Sequence, residues 1–234
     1  MKYILLSNFR FGSTYVMGYL SEKNKQHNMP NLWEYFTSTV IPCYCSNKLS
    51  VIDTTYHNEF SITSDKLLYL KTKLELLKWE RKQGNEYSMK IMAQELFPLK
   101  DNFKNILDFY KNYKFIILKR NKYDSFISNE IQNHTKWFYM HNKNDNERLL
   151  KSYLEKNNLT IKFKDFLEYC DTYNQVLSMF NYVESNYDYD VFHYENLPNL
   201  KKYFQVDSNY SVKKFNIDYN KYITNIEEVN GWNR

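Results

Sequence analysis

Glycine is scarce in this chain, with four in 234 residues, and proline (four) and cysteine (three) are scarcer than or as scarce as it is. So few Gly and Pro leave little room for long flexible linkers. Neither G-x-x-x-x-G-K-[ST] nor G-x-G-x-x-G occurs, which disfavours both the standard ATP/GTP loop and the dinucleotide-binding fingerprint. Cys43, Cys45 and Cys170 are odd in number, two of them spaced C-x-C, and no paired His cluster accompanies them. Reduced thiols are therefore expected, with neither a disulfide framework nor a zinc site. No apolar run approaches the roughly 20 residues of a membrane-spanning helix. Met1–Leu6, with one Lys and three aliphatic residues, is too short for a signal peptide, so a cytoplasmic protein with no membrane span is expected. The formal net charge of +5 is modest and scattered. It suits a small polyanionic ligand and lacks the contiguous basic stripe of a nucleic-acid-binding module.

Apolar material is plentiful. Hydrophobic residues make up 43% and aromatic residues 18% of the chain, enough for one core. No repeat, low-complexity tract or composition break divides the sequence, so residues 1–234 read as a single domain. Short apolar runs alternate with helical patterns: strands near Ile4–Leu6, Met89–Met92, Lys114–Lys119 and Asp190–His193, with helices between them. The stretch through Pro42 reads as irregular. In Lys66–Lys82, Leu67, Leu70, Leu74 and Leu77 recur at helical spacing and predict one buried stripe. Helices are expected near Lys100–Lys111, after Lys119, over Phe163–Val183 and from Glu195. This alternation predicts an α/β fold, a three-layer domain with a central parallel sheet flanked by helices. Its ligands would bind at the carboxyl edge of the strands.

Two segments carry the chemistry. In the first, an apolar strand runs through Arg10-Phe11-Gly12-Ser13-Thr14-Tyr15 into a helix. Gly12 allows a close backbone approach, the first helical N–H groups and the helix dipole face outward, and Arg10 adds a fixed positive charge. An ordinary strand-to-helix turn with a serine N-cap would look similar. In the second, KFIILK is followed by Arg120-Asn121-Lys122-Tyr123-Asp124-Ser125-Phe126-Ile127-Ser128. An arginine at a strand end offers a planar fork of donors for a phosphate, and a serine two turns into the next helix adds a hydroxyl.

The first segment resembles the 5′-phosphosulfate loop of sulfotransferases that use 3′-phosphoadenosine 5′-phosphosulfate (PAPS), in the R-x-G-S-T form of bacterial members. The second is similar to their 3′-phosphate unit, R-N-x-x-D-x-x-x-S. Smaller matches span most of the chain. Trp33-Glu34-Tyr35-Phe36 is similar to the x-E-[YW]-F segment of the trehalose-sulfotransferase-like subgroup. Met89-Lys90-Ile91-Met92 resembles a family strand with a central Lys. Tyr194-Glu195-Asn196-Leu197 is similar to a late Y-E-D-L, and Tyr222–Glu228 to a C-terminal I-x-N-x-x-E segment.

The resemblance implies a P-loop sulfotransferase-like domain that moves a sulfuryl group from PAPS to a hydroxyl acceptor, a carbohydrate or glycolipid, leaving 3′,5′-adenosine bisphosphate, with no metal. Arg10, Phe11, Gly12, Ser13, Thr14 and Tyr15 would hold the phosphosulfate, and Arg120 and Ser128 the 3′-phosphate. Glu34 would be the general base and Arg10 the group that stabilises the leaving oxygen. Neutral imidazoles at His57 and His134 are alternative bases. Trp137 would shape the acceptor pocket. Family members dimerise through differing surfaces, which leaves a homodimer open. The chain departs from the cytosolic enzymes at Arg10, where they carry Lys, and in lacking R-K-G-x-x-G, whose charge Lys213 or Lys214 would have to supply. Arginine keeps its proton, so charge stabilisation survives while acid catalysis does not. A kinase-like nucleotide-binding protein would share the strand-turn-helix but needs G-K-[ST] and a metal-binding Asp. A noncatalytic nucleic-acid-binding protein would need a basic stripe.

Overall fold

The computed structural model of the chain describes residues 2–26, 31–32, 35–36, 40–45, 48–53, 66–135, 143–207 and 218–232. The chain groups into two compact units, one of residues 1–119 with 175–210, the other of 120–174 with 211–234.

In chain order the elements begin with β1 (Tyr3–Ser7), α1 (Ser13–Lys25), β2 (Asn31–Leu32), β3 (Val40–Cys45), β4 (Lys48–Asp53) and α2 (Lys66–Lys82). Next come β5 (Ser88–Met92), 3-10 turns over Ala93–Asn102, α3 (Phe103–Phe109), β6 (Lys114–Lys119), α4 (Lys122–Thr135) and α5 (Lys143–Lys156). The chain then forms α6 (Phe163–Asn186), β7 (Tyr189–His193), a 3-10 turn at Tyr194–Asn196, α7 (Leu200–Phe204), a 3-10 turn at Tyr219–Tyr222 and α8 (Ile226–Gly231).

The first unit is built on a parallel sheet in the order β2-β5-β1-β6-β7. Its two central partners fix β1 on both sides: Leu6 aligns with Ile91 of β5 and with Ile117 of β6. Ile4, Leu5, Leu6, Ile116 and Ile117 have no exposed surface. Continuous apolar strands of this kind arise where both faces of a parallel sheet are covered, and the α/β class expected from the alternation of elements is the one observed. The Leu stripe of α2 is buried at Leu70, Leu74 and Leu77. All strands of this sheet run the same way, so the segments that begin at Asn8, Ala93, Arg120 and Tyr194 all leave it at its carboxyl edge.

Within the stretch expected to be irregular through Pro42, the described residues 31–32 and 40–42 are strand. β3 and β4 form an antiparallel pair, with Ile41 opposite Ile52 and Pro42 opposite Val51. Val40, Ile41, Val51 and Ile52 are residue types with high strand propensity, and in a two-stranded sheet every strand is an edge, where proline is tolerated. The helix expected from Lys100 is also shorter than predicted: Pro98 and a left-handed Lys100 (φ 49°) hold the chain in 3-10 turns until α3 begins at Phe103.

The second unit has its own core of Phe126, Ile127, Ile131, Leu150, Leu154, Leu159, Ile161, Phe166, Ile223 and Val229. Its C-terminal segment is clamped to the stretch before α6. Thr224 N–H donates to the Leu159 carbonyl at 2.8 Å, and the Asn225 amide both accepts from Ile161 N–H (3.1 Å) and donates to the Ile161 carbonyl (2.8 Å). The I-x-N part of the family-like segment thus has a structural use here. Among the described residues no helix is long and apolar enough to cross a membrane.

Candidate cofactor-binding loops

The loop after β1 is a tight turn. Ser7 Oγ (3.2 Å) and Phe11 N–H (3.3 Å) both donate to the Asn8 carbonyl. Arg10 (φ 65°) and Gly12 (φ 79°) are both left-handed. Glycine adopts that conformation freely, whereas at Arg10 it costs about 1 to 3 kcal/mol, a strain that surrounding structure has to hold. Gly12, rather than Ser13, is the N-cap of α1, and no side chain caps the helix. Ser13 and Thr14 therefore occupy the first two helical positions, Ser13 buried and Thr14 exposed. Their N–H groups belong to the turn of a helix that lacks intrahelical acceptors, and no acidic side chain stands in that turn.

Three neighbours shape this loop. Phe11 is fully buried, edge-on to Phe180 of α6 with ring centres 6.5 Å apart. Tyr15 sits edge-on to Tyr19 at 5.4 Å. The ring of Tyr194 lies over Gly12, so that a β-carbon built there would overlap its Cδ2 and Cε2 atoms. The Y-E-N-L segment thus packs on the glycine loop, a contact between two sequence motifs that neither motif reveals alone. Asn8, 1% exposed, has a buried Oδ1 without a hydrogen-bond partner among the described residues.

The segment after β6 is held at several points. Asn121 Oδ1 accepts from Asp124 N–H at 3.1 Å, the geometry of an N-cap for α4. Ser125, fully buried, donates from Oγ to the Lys122 carbonyl at 2.9 Å and receives the hydroxyl of Tyr169 at 2.6 Å. The Tyr173 hydroxyl donates to the Arg120 carbonyl at 2.8 Å. Arg120 is half-buried, and Ser128 is buried two turns along α4. Burial pushes the Tyr169 phenol up to about 12, with the Ser125 hydrogen bond and the Arg120 charge pulling the other way.

Compared with protein-family models and with curated proteins, this chain matches none. The chemistry of the loops has to be read from their own atoms. A left-handed glycine, an arginine two residues before it in the same loop and a helix N-terminus free of acids suit an anion such as a phosphate or phosphosulfate. An arginine at a strand end and a serine on the following helix suit a second phosphate. Each loop, taken by itself, offers the donor types that one phosphate-like group of PAPS would need. Among the described residues, no group of three or more His, Cys, Asp or Glu side chains could hold a metal ion.

Glu34, Trp33, His57, Trp137, Lys213 and Lys214 lie outside the described residues. His134 is exposed in the last turn of α4, where its carbonyl accepts from the Tyr153 hydroxyl at 3.3 Å. Near it Glu130 is buried, and burial raises its carboxyl above the ordinary value, aided by Asp165 and opposed by His134. Lys90 is 1% exposed at the centre of β5, aligned with Leu5. Cys170 is a free, half-buried thiol.

Two features lay beyond the reach of sequence reasoning, one half-buried and one buried. Tyr169 and Tyr173 stand one turn apart on α6, and only their spacing signalled a shared face. Lys73 of α2 is 1% exposed, where a Leu-striped helix would be expected to show its charges to water. Its ammonium donates to the Tyr35 carbonyl and lies 4.2 Å from the centre of the Tyr69 ring, while the Tyr35 hydroxyl returns a bond to the Lys73 carbonyl at 3.2 Å. The Lys73–Tyr35 pair thereby anchors the residue that follows Glu34.

Proposed function

We propose that this chain is a sulfotransferase that moves the sulfuryl group of PAPS to a hydroxyl of a carbohydrate or glycolipid acceptor. The observation that carries the reading is the pairing of two strand-loop-helix steps on neighbouring parallel strands. R-x-G-S-T with a left-handed glycine follows β1, and R-N-x-x-D-x-x-x-S follows β6. PAPS supplies the activated sulfuryl group. The N–H groups of the first loop, with Arg10, Ser13 and Thr14, bind the phosphosulfate, flanked by Phe11 and Tyr15. Arg120 and Ser128 bind the 3′-phosphate. Sulfuryl transfer parallels phosphoryl transfer, so positioning and charge stabilisation supply most of the rate. Arg10 stabilises the charge left on the bridging oxygen, and Glu34 takes the proton of the acceptor hydroxyl. The reading is that of a cytoplasmic enzyme.

The test is thermal stabilisation of the purified protein by 3′,5′-adenosine bisphosphate, with 5′-AMP and ATP–magnesium as controls. A ligand that binds only the folded state raises the melting temperature. The expected result is a shift with the bisphosphate larger than with either control. No shift, or a larger one with ATP–magnesium, would overturn the proposal.

A further inference from the structure

Arg120 reaches its position through a backbone that α6 holds from the side. The Tyr173 hydroxyl donates to the Arg120 carbonyl at 2.8 Å, and one turn earlier the Tyr169 hydroxyl donates to Ser125 Oγ at 2.6 Å. Ser125 passes the restraint on to the Lys122 carbonyl at 2.9 Å, and Ser125 N–H donates to the Asn121 carbonyl at 3.0 Å. The two phenol rings are 6.2 Å apart, and Tyr169 packs against Phe126 at 5.4 Å. One face of α6 thereby holds the Arg120 carbonyl directly through Tyr173 and the Lys122 carbonyl through Tyr169 and Ser125.

Two physical effects follow. A phenol on the Arg120 carbonyl prevents that peptide from rotating, so the root of the guanidinium stays in one place. It also covers the negative end of the peptide dipole, which would otherwise repel an anion brought to Arg120. Preorganisation of this kind is realised as affinity for the group that the arginine binds and leaves other parts of a ligand indifferent.

We propose that Tyr169 and Tyr173 are positioning residues for the Arg120–Ser128 segment, and that their hydroxyls set how strongly the protein distinguishes a 3′-phosphorylated adenosine from one without that phosphate. This rests on the assignment of Arg120 and Ser128 to the 3′-phosphate. The Tyr169 hydroxyl stays a protonated donor across the neutral range, because burial pushes its phenol up to about 12.

The experiment is calorimetric titration of 3′,5′-adenosine bisphosphate and of 5′-AMP into the full chain, the single variants Tyr169→Phe and Tyr173→Phe, and Arg120→Ala, with melting temperatures recorded for each. Phenylalanine keeps the ring packing and removes only the donor, and the two single variants test the same idea independently should one fail to fold. The expected result is about a tenfold loss of bisphosphate affinity in each Phe variant, with 5′-AMP affinity within about twofold of the parent chain. Unchanged bisphosphate affinity would overturn the proposal, as would an equal loss for both ligands with a lower melting temperature, the signature of a merely structural role. If the parent chain does not prefer the bisphosphate, or Arg120→Ala leaves that preference intact, the assignment of Arg120 itself fails and the positioning role falls with it.

Discussion

Tyr194 closes over Gly12 so tightly that no β-carbon fits between them. Gly12→Ala then meets two costs, about 1 to 2 kcal/mol for a left-handed alanine and about 1 to 3 kcal/mol for the overlap. Urea denaturation should show a loss of about 2 to 5 kcal/mol. In a Tyr194→Ala background the same change should cost only the backbone part. A double-mutant cycle with no coupling would show that the ring is not the obstacle.

Phe180 packs against the same loop at Phe11. It is fully buried and meets Phe11 edge-on, so Phe180→Ala should lower stability by about 3 to 5 kcal/mol, measured by chemical denaturation. A loss under about 1 kcal/mol would mean that the surrounding core collapses into the space.

Arg120→Ala and Glu34→Gln separate binding from turnover. Removing the guanidinium should weaken 3′,5′-adenosine bisphosphate by a charge-assisted contact of about 1.5 to 3 kcal/mol, read by titration. Glu34→Gln should spare binding and lower the rate of sulfuryl transfer. Turnover equal to that of the parent chain would remove Glu34 from the role of base.

Lys73 predicts a pH dependence with a definite sign. Burial pulls its ammonium down to about 7, against some restoring pull from Glu95, while in the unfolded chain it keeps its ordinary value near 10.5. Between those values the unfolded chain binds the extra proton, so stability rises with pH, by up to about 1.4 kcal/mol per pH unit for one proton. The window closes near pH 10, where phenols such as Tyr69 and Tyr113, pushed up to about 12 in the folded protein, ionise first in the unfolded chain and reverse the trend. Denaturation midpoints between pH 7.5 and 9 should climb for the parent chain and stay flat for Lys73→Met. Parallel curves for the two proteins would show that another group carries the slope.

Much of this architecture was legible because its signals are local. The apolar runs at Ile4–Leu6 and Lys114–Lys119 form strands, the Leu stripe of Lys66–Lys82 faces the core, and Gly12 marks the turn into α1, since each depends on a few consecutive residues and their periodicity. The β3–β4 pair was hidden by Pro42, whose breaker signal outweighed the β-branched residues around it until a partner strand was known. The helix α5 was not read from the sequence although Leu150 and Leu154 recur one turn apart and enter the core of the second unit, and the start of α3 was delayed by Pro98 and Lys100.

The sequence by itself determined the α/β class, the chain order of the four strands β1, β5, β6 and β7, and the residue types at the two loops. Only the tertiary structure decided that Tyr194 seals Gly12, that Tyr169 and Tyr173 hold the Arg120 segment, and that Lys73 is buried among aromatic rings. Apart from the Tyr69 ring one turn from Lys73, those contacts join residues from 38 to 182 positions apart. No periodicity or turn rule reaches that far: a side chain's neighbours across the fold are set by how whole elements pack, and one residue of register moves a strand's side chains to the other face.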